Sequence, residues 1–520
     1  MKITGILPLL SLFIGCILPL SCGGHEDPLP EVAEAPVLVR TTPENGASGL
    51  TGSSLSVVFT YDQNIRCTLE AQKGVSVDGG AKVDKIDAYG TDLTVSVSGL
   101  SRGSSYTLTL PAGTVQGYKK DQEGSAAVSF SFSTKADDPV PPEPTDPKDW
   151  ENAATAVRNM GVGWNLGNTL DSNSGNVNHM WIEGSPRTTS DYETAWGQPV
   201  ATRELIHMFK EAGFNAIRVP VTWYPHVGTL TVTSKLLDDG QYHYVWDSWT
   251  GTEVDPAWMA RVKEVVGYVL DEGMYCILNV HHDTGAASTA WLRADEAVYA
   301  AVKDKYCELW RQIATEFESC GQRLLFESFN EMLDANSTWN FSTAAAHGVI
   351  NKFNADFVAT VRATGGKNAY RNLVVNTYAA SCDEKALNDF RLPQDTVEGR
   401  LIAEVHSYAP YHFAFDTDYP KTVFDASCDQ EVRGIVKRLG TTLVGKGIPC
   451  ILGEFGADTG KRTETELSKQ AACYIEAAAE YNIACFYWMG LSDGKDRSAL
   501  KWTKPTLKDA IIKAYQDSHK

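Results

Sequence analysis

From residue 149 onward the chain repeats one unit eight times, a short apolar run followed by a longer stretch of helical periodicity. The apolar runs are GVGWNL (161–166), AIRVPV (216–221), YCILNV (275–280), LLFESF (324–329), NLVVNTY (372–378), LIAEVHSY (401–408), CILGEF (450–455) and CFYWMG (485–490). Between them, stretches such as ATRELIHMFKEAG, DPAWMARVKEVVGYVLDEG and ELSKQAACYIEAAAEY space their apolar residues as a helix does. Parallel strands need crossover connections, usually helices, and eight such units close on themselves. The pattern predicts an α/β fold, a (β/α)8 barrel with inserted loops over 149–520.

Such barrels place their chemistry at the carboxyl ends of the strands. Those ends carry Asn168 after strand 1, Arg218 in strand 2, His281-His282-Asp283 after strand 3 and Asn330-Glu331 after strand 4. Strand 6 delivers His406 and Tyr408, strand 7 Glu454 and strand 8 Trp488. The run LLFESFNEM (324–332) is the sharpest case, because a buried strand leads straight into charge, which is costly unless compensated. Within it, Glu327 reads as a strand charge paired inside the barrel wall or at its base. Glu331 and Glu454, 123 positions apart (454 − 331), each stand at a strand end. Two carboxylates so placed suit double-displacement glycoside hydrolysis, in which one attacks the anomeric carbon and the other protonates the departing oxygen. Retention of configuration requires the two carboxyl groups about 5–5.5 Å apart.

Other chemistries fit less well. There is no GxSxG elbow, no phosphate-binding glycine loop and no Cys/His spacing of zinc type. His281-His282-Asp283 would suit a metal, as in barrel amidohydrolases, but those carry His-x-His at the end of strand 1, where this chain has Asn-Leu-Gly-Asn. No metal and no cofactor are therefore expected. A net charge of −19 argues against nucleic acid. His179, His226 and His412 read as loop residues without an assigned role.

Residues 35–135 switch to period two in SLSVVFTY, DLTVSVSGL, YTLTL and AVSFSFST, separated by Gly, Asp and Ser clusters, and predict a small antiparallel β-sandwich. Its opening, PVLVRTTPENGASGL, resembles bacterial immunoglobulin-like modules of surface proteins. With no clustered His, Cys or carboxylates it reads as a spacer, glycan binding being the alternative. A proline-rich linker follows at 136–148. Residues 1–21, a basic start and then an apolar core, form a secretory signal. The junction resembles that of a bacterial lipoprotein, with Cys22 as the lipidated residue, Cys16 a weaker alternative and simple cleavage the other. The expected location is thus exported and lipid-anchored to the outer membrane or cell surface, or else periplasmic or secreted. Of the 11 cysteines, 9 lie beyond the signal, too sparse for a disulfide scaffold, and no pairing is assignable.

The motifs MGVGWNLGNTLDS, WGQP, GFNAIRVPVTW, NVHHD, FNE, EVHSYAP, LGEFG and FYWMG stand in the order found in glycoside hydrolase family 5. Over residues 150–515 the chain resembles that retaining (β/α)8 family, in its cellulase-like endoglucanase branch. The resemblance implies that Glu331 is the acid/base and Glu454 the nucleophile. Arg218 and Tyr408 would hold and ionise Glu454, with His406 near the acid/base. Asn330 would bond the sugar 2-hydroxyl, His281 would line the same subsite with His282 beside it, and Trp488 would lie under a sugar ring. Asn168 joins these as a supporting residue. The sequence departs from the commoner versions at Ser328-Phe329, in the continuation from Asn336 to Phe341, and in an insertion between Tyr224 and Asp255 carrying Trp246 and Trp249. The expected function is a monomeric endo-β-1,4-glucanase acting on cellulose-like, mixed-linkage or xyloglucan polymers. The alternatives are a β-1,4-mannanase of the same fold and a non-catalytic surface glycan-binding protein.

Overall fold

The structure is a computed structural model describing residues 34–519 except 51–53, 120, 137–139, 141, 174–187, 237–239, 241, 288, 341, 458–459 and 461. The expected signal with Cys16 and Cys22, His179, part of the linker and the Trp246 side chain lie outside what is described. The chain divides into two compact units, Met1–Asp138 and Pro139–Lys520.

In the first unit, two four-stranded sheets pack face to face. One orders strands Leu38–Thr42, Ser54–Tyr61, Asp92–Ser98 and Lys82–Tyr89; the other Ala47–Leu50, Val128–Thr134, Ser105–Leu110 and Ser76–Val77. All pairs are antiparallel except that between Ala47–Leu50 and Val128–Thr134. The period-two pattern does the packing: Val57, Phe59, Leu93, Val95 and Val97 face inward and meet Leu108, Phe130 and Phe132.

In the second unit, eight parallel strands close into a barrel: β1 (Val162–Asn165), β2 (Ala216–Val219), β3 (Tyr275–Asn279), β4 (Leu324–Glu327), β5 (Leu373–Ser381), β6 (Leu401–Ser407), β7 (Cys450–Phe455) and β8 (Ala484–Trp488). Strand β1 pairs with both β2 and β8, which seals the ring. Strand residues point alternately into and out of the ring. The lower interior is apolar: Ile277, Leu325, Val374, Ile402, Ile451 and Phe486 pack with Met160 and Val157 of the helix Ala153–Met160. Outward-facing residues such as Leu278, Phe326, Val375 and Leu452 join the larger core beneath the surrounding helices.

Two residues further along each strand, the inward face changes character. It carries Asn165, Arg218, Asn279, Glu327, Asn376, Glu404, Gly453 and Trp488 in strand order. This polar layer is the floor of the site. The insertion after β2 is an antiparallel hairpin, Val227–Leu236 with Tyr242–Val254. Trp249 ties it down, donating Nε1–H to the Val227 carbonyl at 2.7 Å and meeting the Trp291 ring edge-on at 5.1 Å. No described helix is long and apolar enough to cross a membrane. The nine cysteines after the signal region are all free.

Candidate active site

Arg218 organises the site. Its side chain is fully buried, so every N–H needs an acceptor. Nε and Nη2 fork onto Glu327 at 2.7 and 2.8 Å; Nη1 donates to Asn165 Oδ1 at 2.9 Å and to Glu454 Oε1 at 2.7 Å; Nη2 also donates to Asn330 Oδ1 at 2.9 Å. Those bonds use all five guanidinium donors. Glu327, the charge that made LLFESFNEM paradoxical, is therefore the fixed counter-ion of Arg218. Burial would lower the Arg218 pKa, but Glu327 and Glu454 outweigh it and hold the guanidinium charged.

Glu454 lies at the end of β7 and accepts one donor on each oxygen, Arg218 on Oε1 and the Tyr408 hydroxyl on Oε2 at 2.6 Å. Burial pushes its carboxyl above the ordinary value, with Glu331 adding to the rise; His406, Arg218 and Tyr408 pull it down. Glu331, past the end of β4, is more open, with 23% of its side chain exposed against 6% for Glu454. Its Oε1 is 2.8 Å from His406 Nδ1. His406 Nδ1 is also 3.6 Å from Glu454 Oε2, so the imidazole stands between the two carboxylates. One oxygen of Glu331 and one of Glu454 lie within 4.8 Å of each other and of a His406 nitrogen.

That separation decides the chemistry the pair can perform. Inverting glycosidases need room for a water and hold their carboxyl groups about 6.5–9.5 Å apart, whereas retaining ones hold them at about 5–5.5 Å. One oxygen of Glu331 and one of Glu454 lie within 4.8 Å of each other, an approach that fits the shorter spacing.

The remaining predicted residues form the walls. Asn330 gives its oxygen to Arg218, which leaves its NH2 as the free donor end. The His281 ring lies parallel to that of Trp488, centroids 5.8 Å apart at 4°. Burial, with His282 and Arg218 nearby, drives the His281 pKa well down, so the ring is neutral. Its Nδ1 is 3.1 Å from Asn279 Nδ2 and accepts that amide's proton. Burial and Arg218 hold His282 down to about 4 against the pull of Glu331. Its Nε2 is 3.8 Å from Asp171 Oδ2. Asn168 sits in the turn after β1 with φ +55° and donates its backbone N–H to the same Asp171 oxygen at 3.0 Å. Arg218, Asn330, Glu331, His406, Tyr408 and Glu454 thus form one network, with His281, His282, Trp488 and Asn168 around it.

Asp283 does not join the two histidines that precede it. Its carboxylate accepts the backbone N–H of Trp223 and Tyr224, both at 2.8 Å, and the Trp291 indole N–H. Asp171 occupies the place beside them instead. His226 is a core residue, stacked on Trp258 at 3.7 Å and held down to about 3 by burial. Sequence reasoning passed over Asn165, Asn279, Asn376 and Glu404. The available signal was strand alternation: each lies two residues beyond an inward-facing residue, and Glu404 two before His406.

An eight-stranded parallel barrel with paired carboxylates at this spacing defines a glycoside hydrolase that works by double displacement. Residues 180–493 match the model of cellulase (glycosyl hydrolase family 5), and residues 32–134 that of a bacterial Ig-like domain. The chain belongs to glycosyl hydrolase family 5, a family of retaining enzymes. It is 34% identical to endoglucanase A of Clostridium longisporum over 389 residues, 71% of this chain and 67% of that one. With endoglucanase A of Ruminococcus albus it shares 33% identity, over 69% of this chain and 92% of the relative. Among solved structures, a family 5 enzyme from Prevotella bryantii in complex with a xyloglucan tetradecasaccharide is 41% identical, with a TM-score of 0.61 over 70% of this chain and 99% of that one. A broad specificity endoglucanase from Ruminococcus champanellensis with bound cellotriose is 37% identical, with a TM-score of 0.59 over 70% of this chain and 98% of that one.

Proposed function

We propose that the chain is an exported endo-β-1,4-glucanase that cleaves internal links of xyloglucan, mixed-linkage or cellulose-like glucan through a covalent glycosyl-enzyme intermediate. The observation that carries the reading is the approach of Glu331 and Glu454 oxygens to within 4.8 Å. Glu454 is the nucleophile, held by Arg218 and Tyr408 so that one oxygen meets the anomeric carbon. Glu331, the more exposed carboxylate, protonates the leaving oxygen and then deprotonates water. Asn330, with its NH2 end free, suits a 2-hydroxyl acceptor, and Trp488 offers an aromatic face to a sugar ring. His281, His282 and Asn168 support that wall.

Beyond the reacting centre, the loop after β6 presents Tyr411, Phe415 and Tyr419, which are 63%, 48% and 84% exposed. Phe415 packs on Tyr408 at 4.7 Å, so this aromatic rim is continuous with the nucleophile's partner and favours a polymer over a short sugar. The relatives' reported ligands, xyloglucan and cellotriose, support the β-glucan assignment over mannan. Lipidation at Cys22 would keep the enzyme at the membrane, with the Ig-like unit as spacer. Barley glucan, xyloglucan, carboxymethyl cellulose and mannan test the substrate class: internal cleavage of the glucans with β-anomeric products supports it. Preferred mannan cleavage, or α-anomeric products from a β-linked polymer, overturns it.

Two variants test the roles. Glu331→Gln is expected to lower polymer hydrolysis by about 10²–10⁴-fold, the usual worth of general acid catalysis. Its glycosylation step should remain fast on dinitrophenyl glycosides, whose leaving group needs no proton; equal loss on both substrates would contradict the acid role. Tyr408→Phe removes a donor that lowers the Glu454 pKa. The acid limb of kcat/KM, where Glu454 takes up a proton, should therefore move to higher pH. A limb that stays or moves down would contradict the contact's electrostatic effect.

A further inference from the structure

Glu404 is a fully buried carboxylate in the polar layer beneath the site, outside the roles assigned above. A buried carboxylate needs a cation or several donors. Arg218 bonds it nowhere, since its five N–H groups go to Glu327, Asn165, Glu454 and Asn330. What Glu404 does have is the Asn376 amide on Oε2 and, 2.7 Å from Oε1, His406 Nε2. That last contact is an ion pair more than an aligned hydrogen bond. Strand alternation sets it up, because residues 404 and 406 share the inward face of β6.

The neighbouring strand is cut to fit. At Gly453, directly before Glu454, a Cβ would collide with Oε1 of Glu404, with the nearest atoms all from that carboxylate. The glycine of LGEFG is thus a space for Glu404, and its φ is not in the left-handed region that would otherwise explain it.

We infer that Glu404 is a positioning residue that fixes a proton on His406 Nε2, so that His406 Nδ1 and Glu331 share the single proton the leaving oxygen requires. This rests on the reading of Glu331 as acid/base. With Nε2 protonated toward Glu404, Nδ1 either accepts the Glu331 proton or donates the same proton back to it. In the first half-reaction that proton passes from Glu331 to the glycosidic oxygen as the C–O bond breaks and a Glu454 oxygen bonds the anomeric carbon. In the second, water bonds that carbon, the Glu454–carbon bond breaks, and the water's proton returns to the pair. The charges facing the pair are Glu404 on β6, Glu454 on β7, Arg218 on β2 behind Glu454, and Glu327 on β4, which shares Asn376 with Glu404; Tyr408 and His281 are neutral. The net effect on His406 agrees: burial alone would depress it, but Glu404 and Glu454 outweigh burial and hold it well above its usual range.

The Glu404 charge makes the pair keep its proton to higher pH, so Glu404→Gln should release it earlier, whichever way the new amide turns. In the full-length enzyme the alkaline limb of kcat/KM on β-glucan is expected to fall by about one pH unit, a tenfold loss on that flank. On dinitrophenyl cellobioside, which needs no acid, the limb should not shift. An unmoved limb on β-glucan in a variant with native near-ultraviolet circular dichroism overturns the inference, as does an equal shift on both substrates. Should the variant not fold, 15N-histidine labelling of the native enzyme decides: a protonated Nε2 on His406 across the active pH range supports it, and a bare Nε2 overturns it. If Glu331→Gln behaves as an acid variant while Glu404→Gln leaves the limb in place, this inference fails alone. If Glu331→Gln loses activity equally on every leaving group, the underlying reading fails first.

Discussion

Replacing Glu454 by Gln is expected to lower turnover of β-glucan by about 10⁴-fold or more, the scale on which removal of an essential nucleophile is felt. Binding and folding should persist, because Gln is isosteric and its oxygen can still accept from Arg218 or Tyr408. The two carboxylates can then be told apart by small-anion rescue. In Glu454→Ala, azide would attack from the vacated face and give the α-glycosyl azide; in Glu331→Ala it would attack the glycosyl-enzyme and give the β-product. The opposite stereochemistry, or near-native activity in Glu454→Gln, would reverse or remove the assignment. The approach of the two carboxylates to within 4.8 Å makes this test sharp, since on the proposed reading both serve one glycosidic bond, Glu454 at the anomeric carbon and Glu331 at the leaving oxygen.

The second large effect concerns stability. Glu327→Leu keeps volume but strips Arg218 of its bidentate partner, leaving a buried guanidinium with Nε and one Nη2 hydrogen unsatisfied. Breaking a buried pair by removing one member costs about 3–5 kcal/mol. The expected result is a lower urea midpoint for the barrel, together with reduced kcat, because Arg218 also aims at Glu454 and Asn330. A midpoint equal to wild type would mean that Glu327 is dispensable as counter-ion. Glu327→Gln, whose amide oxygen can still accept from one of the two Arg218 groups, should lose less stability than Glu327→Leu.

Much of the site was legible from strand ends alone. Arg218, Asn330, Glu331, His406, Tyr408 and Glu454 were each readable as polar residues closing apolar runs, and they meet in one network. Glu327 was readable as a paired charge, though its partner was not, since Arg218 lies 109 positions away and on a strand two places round the ring. The grouping of His281-His282-Asp283 was misleading: adjacent strand-end residues point in different directions, and Asp283 turned toward the backbone of Trp223 and Tyr224. Alternation could mark Glu404 as inward-facing, but the need for Gly453 was not legible, because a glycine made necessary by a carboxylate on the next strand is visible only when the two are neighbours.

By itself, then, the chain's order of apolar runs and polar termini determined the barrel, the end at which chemistry occurs and the residue types available there, since period-two and period-3.6 patterns fix which face each side chain takes. Only closure of the ring decided who meets whom across strands: Arg218 with Glu327, His406 with Glu331, and Glu331 with Glu454. The physical reason is that local periodicity sets direction, while distances across a barrel depend on the stagger of eight strands at once.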